Sequence, residues 1–263
     1  MIADYLPLVK GLIIDMDGVI WQDNQPIGDL PAIFSKITAD GLSYIFATNN
    51  ATRTLPEYLE KLRRFGIKVE TWQVITAAMA TGIYLREAYP EGCRVFLVGQ
   101  PSLKRTLMDY GLQVVDETVQ DVQVVVGSVD YDLSYEKLKH ASLLIQSGCQ
   151  LIGTNPDRTL PTPEGLVPGS GTVIGALEIA SGTKAILIGK PKPLLYQMAL
   201  KQLDLLPEET LAIGDRLETD IAGAQAAGIH TALVLSGVST LSQANAFNPP
   251  PEIISRDLKE LIY

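Results

Sequence analysis

The sequence predicts an α/β fold in which one parallel-sheet unit is interrupted by a second. Three observations support this. Apolar runs of four or five residues recur and stop at Gly, Asp, Thr or Asn, as strands covered on both faces should. Stretches with helical spacing lie between the runs, and that alternation implies right-handed crossovers in a parallel sheet. The middle of the chain repeats the alternation but reads as lacking polar residues at its strand ends. Residues 79–183 are therefore expected to form an inserted α/β unit, with 1–78 and 184–263 forming the core around it.

Taken in order, Gly11-Leu-Ile-Ile-Asp15 is the first expected strand and Tyr44-Ile-Phe-Ala-Thr48 the second. Leu55, Leu59, Leu62 and Phe65 then fall near one helical face, and Gly66 stops that helix. Inside the insertion, 94–99 and 122–127 read as buried strands, while 106–111 and 134–148 include or end helices. Residues 153–172 are rich in Pro, Gly and Thr, which predicts a long ordered loop. Strands are expected again at 185–189, 210–214 and 230–235. Helices are expected at 193–203 and 218–227, the latter closed by Gly228.

Composition narrows the function. The 263 residues carry 30 acidic against 21 basic side chains, a net charge of −9, which disfavours nucleic acid and anionic membranes as partners. Cys93 and Cys149 are too few for a disulfide framework or a multi-thiolate metal site. A single bridge between them and two buried thiols both remain open, the second suiting a reducing cytosol. Residues 1–10 hold no basic segment ahead of an apolar stretch, so no secretory signal is expected. No apolar run reaches the roughly 18 residues of a membrane span. The expected setting is cytoplasmic.

Four strand ends carry polar groups. Asp15-Met16-Asp17-Gly18 follows the first strand, and residues i and i+2 of an extended chain project to the same side. One carboxylate can attack phosphorus while its neighbour supplies the leaving group's proton. An ordinary Asp-rich turn would have the same composition. Thr48-Asn49-Asn50 offers neutral donors for phosphate oxygens, or a helix cap. In Gly189-Lys190-Pro191 the proline biases Lys190 toward extended backbone, and its ammonium could bind a phosphoryl oxygen or solvent. Asp215, in Gly214-Asp215-Arg216-Leu217-Glu218-Thr219-Asp220, could join Asp15 in an oxygen-ligand set of the kind Mg²⁺ prefers. Asp220 could orient Asp215 or a metal-bound water; both acids could instead complement a helix dipole. All four motifs on one rim of one sheet favour catalysis over four separate coincidences.

This ordered set resembles the haloacid dehalogenase-like phosphatase superfamily, and within it the NagD-like branch with its 4-nitrophenyl phosphatase relatives. Further cues are Thr48-Asn49-Asn50-Ala51-Thr52, Gly153-Thr154-Asn155-Pro156-Asp157 and Leu235-Ser236-Gly237-Val238. The resemblance implies a Rossmann-like core with an α/β cap inserted between the Thr48 and Lys190 motifs. It also implies Asp15 as nucleophile, forming an aspartyl-phosphate, and Asp17 as general acid and base. Mg²⁺ would be held by Asp15, the Asp17 carbonyl and Asp215; Thr48, Asn49, Asn50 and Lys190 would bind the phosphoryl group. The implied substrate is a small phosphorylated metabolite, and a homodimer through the cap fits the branch.

Other signals point elsewhere and are weaker. Gly169-Ser-Gly171-Thr-Val-Ile-Gly175 imitates a dinucleotide fingerprint, but its third glycine falls one residue late and no strand is expected immediately before it. It reads as a tight turn opening a helix. No Gly-x4-Gly-Lys-Ser/Thr loop and no Gly-x-Ser-x-Gly elbow occurs, and His140 and His230 stand too far apart in sequence to suggest zinc. Asn155 and Asp157 could line a cleft or stabilise a turn. A phosphotransferase or phosphomutase on the same scaffold, and a non-catalytic receiver-like or phosphate-binding protein, remain alternatives.

Overall fold

The computed structural model describes residues 6–162 and 164–263, so the expectation for residues 1–10 falls partly on 1–5, outside the described residues. The chain opens with β1 (Gly11–Ile14), a small hairpin of β2 (Trp21–Gln22) and β3 (Gln25–Pro26), and helix α1 (Leu30–Ala39). β4 (Ser43–Thr48), α2 (Leu55–Arg64) and β5 (Val74–Thr76) follow. The middle segment runs α3 (Ala77–Ala88), β6 (Arg94–Val98), α4 (Pro101–Asp109), β7 (Gln113–Val115) and β8 (Val124–Gly127). It continues through α5 (Tyr135–Gln146), β9 (Gln150–Gly153), β10 (Thr159–Thr162), β11 (Gly165–Pro168), α6 (Ser170–Ser181) and β12 (Ile186–Leu187). The last third holds α7 (Leu194–Leu203), β13 (Thr210–Gly214), a single π-helical turn (Leu217–Ile221) and α8 (Ala222–Ala226). β14 (His230–Val234), α9 (Leu241–Ala246), β15 (Ile253–Ser255) and α10 (Leu258–Ile262) complete it.

Two compact units emerge. The first comprises the chain up to Thr48, Leu55–Ile75 and Lys190–Tyr263; the second comprises Asn49–Thr54 and Thr76–Gly189. The first unit's sheet has the order β15-β14-β13-β1-β4-β5. β1 pairs in parallel with both β13 and β4, with Ile14 opposite Ile213 on one side and Phe46 on the other. β1 is buried throughout because helices cover both faces of such a sheet. Its core gathers Leu12, Ile14, Phe34, Phe46, Leu62 and Val234. From β1 the chain steps outward through β4 to β5, and on its return it steps the other way from β13 through β14 to β15. The order therefore reverses between β1 and β13, where open α/β sheets bind ligands beyond their carboxyl ends.

The second unit has its own sheet, β12-β9-β8-β6-β7, parallel at every pairing, over a core of Phe96, Val98, Val125, Leu151 and Leu177. Four expectations need correction here. The strand before Lys190 was expected in the core, but Ile186–Leu187 pairs with Ile152 and Gly153 of β9 in the second sheet. A short apolar run looks the same in either sheet, so its pattern could not assign it. Residues 153–172 are not one loop: β10 and β11 form an antiparallel hairpin, with Leu160 opposite Val167. Proline in a strand suits such a two-stranded ribbon, which has only edges. The helix expected from 218 begins instead as the π turn. Finally, the second sheet's strand ends are polar: Ser128 follows β8 and Thr154-Asn155 follows β9, all buried. Hydroxyls and amides flanked by glycine and valine blend into an apolar run.

Candidate active site

Three strands of the first sheet deliver polar groups to the rim. Asp15 directly follows β1, and its N–H still donates to Ile213 O of β13 at 2.9 Å, which holds it at the rim. Thr48 is the last residue of β4 and is buried. Asp215 directly follows β13. Its carboxylate Oδ2 accepts from Val238 N–H at 2.7 Å, and its carbonyl accepts from Ser239 N–H at 3.0 Å. The π turn then brings Asp220 back over the strand end: Asp220 Oδ2 accepts from the N–H groups of Asp215 (3.2 Å) and Arg216 (3.0 Å). Tyr196 from α7 donates its hydroxyl proton to the Asp220 carbonyl at 2.7 Å.

Lys190 ties the group together. It is 2% exposed, and its Nζ donates to Asp15 Oδ1 at 2.6 Å, Asp220 Oδ1 at 2.6 Å and the Ala47 carbonyl at 2.9 Å. One carboxylate oxygen from each of Asp15, Asp215 and Asp220 lies within 4.8 Å of the others. Glycines make the room. Gly18 has φ +86°, and a Cβ there would fall 2.5 Å from Asp215 Oδ2. A Cβ on Gly237 would fall 1.9 Å from the same oxygen, and one on Gly214 would fall 2.2 Å from Asp220 Cβ.

The electrostatics follow from burial. Desolvation pushes the Asp15 carboxyl well above the usual carboxylate range; Lys190 pulls against it, and Asp220 and Asp215 push with it. Burial also works against the Lys190 ammonium, but Asp15 and Asp220 overcome it and raise its proton affinity well above an ordinary lysine's. Asp215 is pushed up to about 7, first by burial and then by Asp220, while the Val238 N–H pulls the other way. With all groups ionised, three carboxylates and one ammonium leave a net charge of −2. A divalent cation would cancel that excess, and the donors are hard oxygens of the kind Mg²⁺ and Ca²⁺ take. The residues fit such an ion.

Asp17 is half-buried beside this cluster, and its Oδ1 accepts from the Trp21 indole Nε1–H at 2.8 Å. Asn49 and Asn50 group with the second unit. There, Asn49 Nδ2 donates to Asp157 Oδ2 at 3.2 Å, and its carbonyl accepts from Asn155 Nδ2 at 2.8 Å. Asn50 Oδ1 accepts from the N–H and hydroxyl of Thr52, at 2.9 and 2.7 Å. Asn155 Oδ1 accepts from Asp157 N–H at 3.1 Å, a local turn of the kind its position in the sequence allows. Trp21, Tyr196 and Ser239 support the acids yet carried no sequence signal beyond core or loop character. Gly237-Val238 stood out only as a branch cue; the N–H it supplies to Asp215 needs the folded turn to be seen.

A family model described as haloacid dehalogenase-like hydrolase matches residues 12–113, and a second, HAD-hydrolase-like, matches 187–261. The chain is 34% identical over 253 residues to an acid sugar phosphatase of Staphylococcus aureus, covering 96% of each. Among solved structures, a 4-nitrophenylphosphatase from Thermotoga maritima superposes with a TM-score of 0.91 at 32% identity, covering 98% of both chains. NagD from Escherichia coli gives 0.85 at 29% identity, over 96% of this chain and 98% of that one. A glycerol phosphate phosphatase from Mycobacterium tuberculosis, in complex with calcium, gives 0.88 at 33% identity, over 96% of this chain and 74% of its own. With both halves of the rim matched by these models and the whole fold shared with these relatives, the chain belongs to the haloacid dehalogenase-like hydrolases, in their NagD-like branch.

Proposed function

We propose that this protein is a Mg²⁺-dependent phosphatase that hydrolyses a small phosphorylated metabolite through an aspartyl-phosphate on Asp15. It is a phosphoric monoester hydrolase, in line with the phosphatase names of its relatives. The observation that carries the finer reading is the Asp15 carboxylate at the end of β1, 2.6 Å from Lys190 and beside Asp215 and Asp220 at the switch point of the sheet. Uncatalysed phosphate-monoester hydrolysis is so slow that acceleration up to ~10²¹-fold is required, most of it from positioning and charge stabilisation.

The steps fall to named groups. An oxygen of Asp15 attacks phosphorus in line with the leaving oxygen. Asp17 gives that oxygen a proton, then takes one from the water that cleaves the acylphosphate. Lys190, fixed by Asp220, favours the ionised form of Asp15 against its burial and offsets charge on the phosphoryl oxygens. Thr48, at the end of β4, donates a hydrogen bond to those oxygens. Asp15, the Asp17 carbonyl and Asp215 would hold Mg²⁺, which when bound neutralises phosphoryl charge and orients the group. The S. aureus relative's name supports sugar phosphates among the first substrates to try. Two free, buried cysteines suit a reducing, cytoplasmic setting.

Asp15→Asn is the test. Turnover of 4-nitrophenyl phosphate with Mg²⁺ should fall by about 10⁴-fold or more, the scale of losing a nucleophile. Wild-type protein quenched in acid during turnover should carry one acid-stable, base-labile phosphoryl group that the variant lacks. Retained turnover in Asp15→Asn removes the nucleophile assignment.

A further inference from the structure

Trp21 reads as core: it follows the Asp17-Gly18 turn and is fully buried. Its indole is not placed like a filler. Nε1 donates to Asp17 Oδ1 at 2.8 Å, and the backbone between them is closed by Gly18 N–H to the Trp21 carbonyl at 2.7 Å. Asp17 and Trp21 also share an isolated β-bridge. The ring is also held by two neighbours. Lys61 Nζ sits 3.9 Å from the ring centroid, and Phe65 packs at 5.9 Å with a 47° tilt. Lys61 is itself buried and donates at 2.5 Å to the carbonyl of Asp23, which turns the β2–β3 hairpin in the left-handed region at φ 54°. A cation over the indole face attracts the ring and polarises its N–H toward the carboxylate.

We propose that Trp21 is a positioning residue for Asp17: its indole N–H fixes the orientation of the carboxyl group that handles the leaving-group proton. The inference rests on the phosphatase reading above. In the first step, a bond forms between an Asp15 oxygen and phosphorus as the bond from phosphorus to the leaving oxygen breaks. A proton passes from the Asp17 carboxyl to that leaving oxygen, and Asp17 is left as a carboxylate. Because Oδ1 accepts the indole N–H, the carboxyl cannot turn freely about its own axis. Loss of the indole donor widens the range of carboxyl orientations and makes the productive one rarer.

Two measurements test this. The chain has two tryptophans, Trp21 and Trp72, so a ¹⁵N–¹H correlation spectrum holds two indole resonances, and Trp72→Phe assigns them. Asp17→Ala should move the Trp21 indole resonance upfield and leave that of Trp72 in place; an unmoved Trp21 resonance overturns the inference. The second measurement compares leaving groups. 4-Nitrophenolate leaves well without a proton, whereas the alkoxide of an alkyl phosphate such as glycerol phosphate does not. In Trp21→Phe, which keeps an aromatic ring but removes the donor, kcat/KM for the alkyl phosphate should fall at least about tenfold further than for 4-nitrophenyl phosphate. Equal losses on both substrates overturn the inference, since general loss of packing would affect them alike. Should Trp21→Phe not fold, the spectrum decides alone. An active Asp15→Asn would remove the phosphatase mechanism while leaving the spectral result standing. An inactive Asp15→Asn with equal losses in Trp21→Phe would remove only the role of Trp21.

Discussion

The carboxyl edges of the two parallel sheets are built alike and finished differently. In the first unit the edge carries Asp15, Asp215, Asp220 and Lys190, all buried, with an uncompensated charge of −2 when ionised. In the second it carries Ser128, Thr154, Asn155 and Ser170, equally buried and all neutral. The neutral set is joined by its own hydrogen bonds. Thr154 donates to Ser128 Oγ at 2.9 Å, the Ser128 and Ser170 hydroxyls meet at 3.3 Å, and Asn155 Nδ2 lies 3.2 Å from Ser170 Oγ. A satisfied neutral network needs no ligand to be stable. A charged cluster with surplus negative charge does, and that difference marks the first edge as the one built for chemistry.

The sharpest way to break the contrast is Lys190→Met. Without the ammonium, two buried carboxylates lose their partner. Stability measured by urea unfolding in chelator should drop by about 3–5 kcal/mol, as for other buried charges left unpaired. Turnover of 4-nitrophenyl phosphate should fall by about 10³-fold, on the scale of losing a preorganised charge. A variant as stable and active as the wild type would mean that the cluster is ornamental.

Gly237→Ala attacks the same edge through space. A methyl group 1.9 Å from Asp215 Oδ2 must displace that carboxylate. Divalent-cation affinity, read by calorimetry, should weaken about 10–100-fold. An unchanged affinity would take Asp215 out of the ligand set.

The proton on Asp215 gives a third handle. Its carboxyl is pushed up to about 7, so below that pH a binding cation must expel a proton. Apparent affinity should therefore weaken about tenfold for each unit of pH below about 7, with matching proton release in calorimetry across two buffers. Folding of the metal-free protein depends on pH in the opposite sense. The unfolded carboxyl ionises near 4, well below the folded one, so metal-free protein should lose stability as pH rises from about 4 to about 7. Mg²⁺ should remove that loss. Cation affinity flat between pH 5 and 7 would contradict the origin assigned to the shift.

The smallest effect belongs to the neutral edge. Ser128→Ala leaves the Thr154 hydroxyl without its acceptor and should cost about 1–3 kcal/mol in thermal or urea unfolding. Cation affinity should stay within error. Should affinity fall as it does in Gly237→Ala, the two edges would not be the separate devices contrasted above.

Much of this was legible before any coordinates. Asp15, Thr48 and Asp215 each end a run of buried apolar residues, and a parallel strand covered on both faces shows such runs plainly. Lys190 could be picked out by its motif, but not the sheet its strand joins, because Ile186–Leu187 is two residues long and pairs only with β9. The strands β5, β7 and β15, three residues each, lie at sheet edges where pattern is weakest. Trp21 was hidden by its own hydrophobicity, since burial and hydrogen bonding leave the same letter in the sequence. The neutral edge was missed because Ser and Thr beside valines look like strand, not site.

The π turn at Leu217–Ile221 has a consequence for how this protein tolerates change. Such a turn holds one residue more than an α-helix would, and from it Asp220 reaches both Lys190 and the β13 strand end. Excising exposed Glu218 would let the backbone regularise, and each helical residue turns the chain by about 100°. Asp220 would swing away from Lys190 by that angle. A deletion the helix would welcome is thus one the enzyme cannot survive, so along this stretch insertions and losses should be purged even where single replacements drift freely.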